Sequence, residues 1–287
     1  MKSETGVIVV GSLHYDIFLT APNQPTKGEI VVGNNWIPKF GGKGGNQAIA
    51  ASSCGILTKM VSAVGKDVFG KFIIDYLKSS NLNYDFVKIL NKEKTGMSVA
   101  ISDNNGEYGA VIVSGANLNI DPKILENSSL WNNCKILMIQ NEVKEEINIL
   151  AAKNAKLNGL KVCLNASPPM NLNPELIKNI DILIVNIKEA EIISSTKISN
   201  IDDVKKLCKK LTDTFKIVII TAGEEGVVAC EKNKETIYIP SNDIEVQSTH
   251  GAGDVFAGVF CASIASKEEL LKALEIANKK AAFHVAK

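Results

Sequence analysis

Short runs of β-branched and aliphatic residues recur at positions 7–10, 60–64, 136–139, 162–164, 182–185 and 217–220. Each is bounded by polar or glycine-containing segments, the pattern of strands buried on both faces. Between most of these runs the apolar positions change period. In residues 67–79 they fall at Val68, Phe69, Ile73, Tyr76 and Leu77, near one helical face, and residues 145–158 and 202–211 behave similarly. Strand alternating with helix predicts an α/β fold: a mostly parallel sheet covered on both faces, with right-handed crossovers and ligands gathered at the carboxyl ends of the strands. Residues 267–287 read as a final helix.

Two regions break the alternation. Residues 15–40 and 95–113 carry extended segments with Pro and Gly turns and little helical period, and Met97-Ser98-Val99-Ala100-Ile101 and 109–113 read as strands. They predict a small β lid that projects from the main sheet and closes over a ligand. The exposed edges of such a lid need cover, which predicts a homodimer formed through it. No internal repeat, low-complexity tract or linker divides the chain, so residues 1–287 are expected to form a single domain.

With 45% hydrophobic and 22% charged residues, the chain is too apolar for global disorder. Thirty-two Lys and Arg against 31 Asp and Glu leave a net charge of +1, so no broad basic field exists to hold nucleic acid or an acidic membrane. Any anion must be caught locally. The six cysteines, at 54, 134, 163, 208, 230 and 261, form no CxxC pair and read as reduced core thiols. The apolar stretch 6–11 is too short for a secretory signal and no window approaches a membrane-spanning length, which predicts a cytoplasmic protein.

Two clusters carry candidate chemistry. The first is Gly41-Gly42-Lys43-Gly44-Gly45-Asn46-Gln47-Ala48, running into a helical stretch at 48–53. A flexible turn is the plain reading, but such glycine density predicts positive φ or close approach of a ligand to the backbone. GxxxxGK[ST] and GxGxxG are both absent, which sets aside a phosphate-binding P-loop and makes a Rossmann dehydrogenase remote. The second cluster is Ser248-Thr249-His250-Gly251-Ala252-Gly253-Asp254, followed by an apolar helical run at 255–260. Free N–H groups at a helix start, aided by the macrodipole, form an anion site. Asp254, in the first turn, reads alone as a capping residue. Beside an anion hole it can instead accept a hydroxyl proton while the hole holds the phosphoryl group that the hydroxyl attacks.

These clusters occur in order with Gly11-Ser12-Leu13-His14-Tyr15-Asp16, Val64-Gly65-Lys66-Asp67-Val68-Phe69-Gly70, Gly115-Ala116-Asn117, Asn186-Ile187-Lys188-Glu189 and Thr221-Ala222-Gly223-Glu224-Glu225-Gly226. From about residue 7 onward the chain resembles the ribokinase-like sugar kinases of the PfkB family, and GGKGGNQA and GAN stand nearer the ribokinase branch than fructokinases or adenosine kinases. The resemblance implies a three-layer α/β/α sandwich with a β lid, and ATP-dependent phosphorylation of a primary hydroxyl on a pentose such as ribose. By the same resemblance Asp254 is the catalytic base and Gly251, Ala252 and Gly253 form the anion hole. Asp16, Gly42, Lys43 and Asn46 grip the sugar hydroxyls, and Glu142 closes that pocket. Asn186 and Glu189 organise Mg²⁺ and phosphate through waters. Thr221, Gly223 and Gly226 lie beneath the nucleotide, and Asn278 on the adenine side.

Three departures from the family pattern change the expectation. His14 stands where the family has Asn, which leaves the hydroxyl-binding geometry, and with it the identity of the sugar, open. Ser248 replaces an Asp that helps hold a monovalent cation, and relatives continue beyond the position of Lys287. Weak or absent potassium activation and reduced nucleotide affinity are therefore expected. A nucleoside kinase of the same family and a catalytically weak sugar- or nucleoside-binding protein are the alternatives; retention of Asp254 and the glycines argues for the enzyme.

Overall fold

The computed structural model describes residues 5–103, 108–241 and 251–286. Ser248 and its expected role as a weak cation ligand lie outside the described residues. The chain enters through β1 (Gly6–Val10), crosses to β2 (His14–Thr20) and β3 (Asn35–Gly41), and returns through α1 (Lys43–Ser52) and β4 (Thr58–Gly65). α2 (Val68–Ser79) and β5 (Asn83–Leu90) follow, then β6 (Met97–Ser102) and β7 (Tyr108–Val113), and the short α3 (Ser128–Trp131). Strand and helix then alternate through β8 (Cys134–Gln140), α4 (Glu145–Leu157), β9 (Lys161–Asn165), α5 (Pro174–Ile177), β10 (Ile182–Asn186), α6 (Ile187–Ser194), α7 (Ile201–Leu211) and β11 (Ile217–Thr221). The antiparallel β12 (Val227–Glu231) and β13 (Thr236–Ile239) precede α8 (Ala252–Ala265) and α9 (Leu270–Val285).

Nine strands form the main sheet in the order β13-β12-β11-β10-β9-β8-β1-β4-β5. From β5 to β11 every pairing is parallel, and β12 and β13 extend the edge antiparallel. Because side chains alternate along a strand, β1 supplies both layers of core. Val7 and Val9 pack with Met60, Ile136, Met138, Phe256 and Leu274 on one face, while Ile8 and Val10 pack with Val61, Leu137, Ile139, Ala151 and Val204 on the other. The fold is therefore the three-layer α/β/α sandwich, with α8 buried in the first layer: Phe256, Ala257, Val259, Phe260 and Cys261 are at most 2% exposed.

A second sheet of four strands, ordered β3-β2-β6-β7, stands on the carboxyl ends of the main sheet. Its base is tied down by aromatic packing: Tyr15 stacks on Phe69 at 4.1 Å, and Phe40 on Tyr76 at 4.3 Å, both partners coming from α2.

Three details differ from the sequence reading. α1 starts at Lys43 rather than near residue 48, so the glycines form its first turn. The chain there is shaped by its own packing. Only Gly42 has a left-handed φ, of 85°, and a Cβ at Gly44 would stand 2.6 Å from the Ser12 nitrogen. α9 begins at Leu270, because Lys267 takes a left-handed φ of 69° that separates it from α8. Cys54 is exposed, lying past the C-cap of α1; the other five cysteines are buried, and all six are free thiols.

Candidate active site

A cavity of about 350 Å³ opens where the carboxyl ends of the central parallel strands meet the lid. α8 aims its N-terminus into it. The helix is capped by Gly251, whose φ of 76° lets the chain turn sharply into the first turn, and no side chain caps its N–H groups. Among the described residues, the backbone N–H groups of Gly251, Ala252, Gly253 and Asp254 donate to no protein acceptor. Gly251, Gly253 and Asp254 line the cavity, and Ala252 stands in the same turn outside its wall.

Asp254 does not cap the helix. Its carboxylate accepts from Gln47 Nε2 at 2.9 Å on Oδ1 and from Asn46 Nδ2 at 3.2 Å on Oδ2. It is 8% exposed. Burial pushes its pKa up to about 6; the positive charge of Lys43 and the hydrogen bonds from Gln47 and Asn46 counter that rise, and Glu142 adds to it. A carboxyl held near neutrality suits a general base better than an ordinary surface Asp.

One half of the cavity is built from four segments. Asp16, 6% exposed on β2, accepts from Ser98 Oγ of β6, and Gly41 makes room for its carboxylate, since a Cβ there would collide with it. Glu142, two residues beyond β8, accepts from Ser12 Oγ and from the Lys43 backbone N–H at 2.9 Å on the same oxygen. Asp16, Gly42, Lys43, Asn46 and Glu142 all line the cavity. Carboxylates and amides in pairs of this kind suit a polyol, whose hydroxyls both donate and accept.

Toward the open side, Asn186 and Glu189 start α6 with a reciprocal capping box: Asn186 N–H donates to Glu189 Oε2 at 2.8 Å and Glu189 N–H donates to Asn186 Oδ1 at 2.9 Å. Both line the cavity, as does Thr221 at the end of β11. Gly223, Gly226 and Asn278 do not. Gly226, with a φ of 95°, turns β11 into β12 against Pro240, and Asn278 Nδ2 donates to Pro240 O at 3.1 Å. Gly223 has open space where a Cβ would stand. These three frame the strand exit beside the cavity rather than its wall.

The sequence reading assigned no site role to Ser98, Asn165, Ser167 or Gln47. The first three line the cavity, and Gln47 lies behind it. Ser98 sits directly opposite Asp16 in the β2–β6 register, a pairing legible only once the two strands are known to be parallel neighbours. Gln47 belongs to the glycine-rich motif, and its position five residues into α1 points it back at α8. His14, 2% exposed, lines the cavity, with its Nε2 lacking a partner among the described residues.

A buried carboxylate beside helix-start amides that have no acceptor among the described residues, under a lid and at the carboxyl edge of a parallel sheet, suits a phosphotransferase acting on an alcohol. A profile described as "pfkB family carbohydrate kinase" matches residues 4–287, and the chain belongs to that family. It is 31% identical over 306 aligned positions to a ribokinase of Dictyostelium discoideum, covering 99% of this chain and 95% of that protein. It is 30% identical to a ribokinase of Haemophilus influenzae, covering 97% of this chain and 92% of that protein. Among solved structures it superposes on Arabidopsis thaliana ribokinase complexed with ribose and ATP with a TM-score of 0.90 and 27% identity, covering 98% of this chain and 92% of that one.

Proposed function

We propose that this protein transfers the γ-phosphoryl group of ATP in line to a primary hydroxyl of a pentose such as ribose. The observation that carries the proposal is the juxtaposition of Asp254, buried and pushed up to about 6, with the N–H groups of Gly251, Ala252 and Gly253, which have no acceptor among the described residues. The ribose and ATP of the Arabidopsis relative support the same substrates here. The acceptor hydroxyl lies against Asp16, Lys43, Asn46 and Glu142, and Asp254 takes its proton as the oxygen attacks phosphorus. The α8 amides receive the charge that develops on the transferring group, where a water-poor site strengthens each hydrogen bond. Thr221, Gly223 and Gly226 lie on the nucleotide side, with Asn278 farther out.

Mg²⁺ fits the residues present. Among the described residues no cluster of three or more His, Cys, Asp or Glu could hold a metal alone. A kinase magnesium needs only one or two carboxylates, because phosphate oxygens and water complete its shell. Glu189, 6% exposed, is that carboxylate, and the capping bond from Asn186 N–H fixes its orientation. When bound, the ion neutralises phosphate charge.

The protein is a homodimer through its lid. Pro38, Ile17, Val99 and Val111 stand opposite one another across the four strands, and Trp36 (57% exposed) and Val111 (69% exposed) leave this face uncovered. A second copy of the same sheet covers it. Among the described residues no helix is long and apolar enough to cross a membrane.

A coupled assay for ADP over ribose, deoxyribose, fructose and nucleosides tests the proposal. ADP release with ribose is expected to exceed that with any nucleoside. Release with none, together with clear thermal stabilisation by a sugar, supports a binding protein instead.

A further inference from the structure

Gln47 is fully buried, does not line the active-site cavity and yet ties its own helix to two other elements. Its Nε2 donates to Asp254 Oδ1 of α8 at 2.9 Å and to Asn165 Oδ1 of β9 at 2.9 Å. The orientation of the amide is fixed from behind, because Asn165 Nδ2 donates to Ile184 O of β10 at 3.1 Å and so turns its own oxygen toward Gln47. Both hydrogens of the Gln47 amide are then consumed. Its Oε1 is left buried with no partner among the described residues. An orphaned buried oxygen is costly, and an apolar side chain of the same shape would avoid it. Its presence calls for a reason, and among the described residues the only ionisable group the amide hydrogen-bonds is Asp254.

We propose that Gln47 is a positioning residue for phosphoryl transfer: it pins Oδ1 of Asp254 to the sheet and supplies the hydrogen bond that lets a buried carboxylate stay charged, leaving Oδ2 to take the acceptor's proton. The proposal rests on the kinase reading for its consequence, though not for its chemistry. Oδ2 holds only the longer 3.2 Å bond from Asn46, a half-buried side chain on the cavity wall that an incoming hydroxyl can displace. A carboxylate held by one oxygen cannot swing away from the row of amides, and a hydrogen bond to the ionised form opposes the effect of burial. Among the described residues, the other charged or titratable groups around Asp254 are Lys43 of α1 and Glu142 beyond β8, with Asp16 and His14 of β2 and Glu189 of α6 elsewhere on the cavity wall; His284 of α9 stands near Gly251. None of them changes when residue 47 is replaced, so a shift in Asp254 reports on the amide.

The test reads Asp254 directly. In protein carrying ¹³C-carboxyl aspartate, the Asp254 signal is the one lost in Asp254→Asn, and its wild-type titration midpoint is expected at about 6. In Gln47→Met, which fills the same volume, the midpoint is expected to rise by about one unit or more. The acid limb of kcat/KM should move with it, and kcat at neutral pH should fall about ten-fold with the sugar KM nearly unchanged. Gln47→Glu keeps the shape, adds a like charge, and should raise the midpoint further, so it reads the same property should the Met variant fold poorly. A midpoint within a few tenths of wild type in a folded variant overturns the assignment and makes Gln47 core packing. Absence of ADP with every acceptor overturns the kinase reading and leaves the titration result to decide Gln47 alone.

Discussion

Asp254 illustrates the conflict between stability and chemistry at a single residue. Its pKa in the folded chain, about 6, lies above the ordinary carboxylate value of roughly 4, so folding favours the protonated form. Stability is then greatest below the ordinary value and declines as pH rises between the two, by on the order of 3 kcal/mol for a displacement of about two units. Asp254→Asn removes the buried charge. We expect its thermal midpoint at pH 7.5 to exceed that of wild type by a few degrees, with the difference closing toward pH 4; a midpoint well below wild type at pH 7.5 would show that the charge stabilises the fold. At this scale the sequence was informative where a side chain belongs to a motif and silent where its partner is remote. Asp16, Lys43, Asn46, Glu142 and Asp254 were legible from the resemblance, and they converge on one cavity. Lys59 was not: in sequence it is one lysine among many, yet it is 7% exposed and its ammonium donates to the carbonyl oxygens of Ser129, Leu130 and Asn132, a partnership made only by tertiary structure.

Elements were legible through their period, and their boundaries were governed by contacts the period does not contain. The parallel strands are short and apolar throughout because both faces are covered, and residues 67–79 lie within one residue of the observed α2. α1 was misjudged because glycine predicts flexibility in isolation, whereas here Gly44 and Gly45 let the first turn pack on Ser12, Leu13 and Phe40. The junction of α2 with the lid depends on Asp67, which caps α2 through Gly70 N–H at 2.8 Å and accepts from Thr95 N–H at 2.9 Å and Thr95 Oγ1 at 2.6 Å, just before β6. Burial opposes its charge, but the hydrogen bonds from Thr95 and Gly70 outweigh it and hold the carboxyl below its usual range. Its stabilisation is therefore present at neutral pH and lost as pH falls through that lowered value. Asp67→Ala should cost about 1–2 kcal/mol in urea unfolding and raise the sugar KM more than it lowers kcat, because it loosens the root of the lid and leaves Asp254 untouched. An unchanged KM would separate the latch from sugar binding.

At the scale of the molecule, the main sheet supplies a rigid edge at which β8, β9, β10 and β11 end, and the lid supplies the remaining wall through Asp16, Ser98, Ala110 and Ile112. The division of labour explains why the lid strands are the part least like a buried sheet: one face meets the cavity, and the other carries Trp36 and Val111 outward. Val111→Glu places a charge on the edge strand of that outer face. Sedimentation should then report a monomer where the wild type is a dimer, with the fold intact by circular dichroism; an unchanged mass, or a monomeric wild type, removes the lid as an interface.

The proposed chemistry needs the Asp254 carboxylate to accept a proton beside amides that receive a phosphoryl group. The most direct measurement is turnover of saturating ribose and ATP by wild type and Asp254→Asn in the coupled ADP assay. Loss of kcat by about three orders of magnitude or more, with ribose still bound at nearly its wild-type Kd, is the predicted result. An Asp254→Asn enzyme turning over at close to the wild-type rate would contradict it.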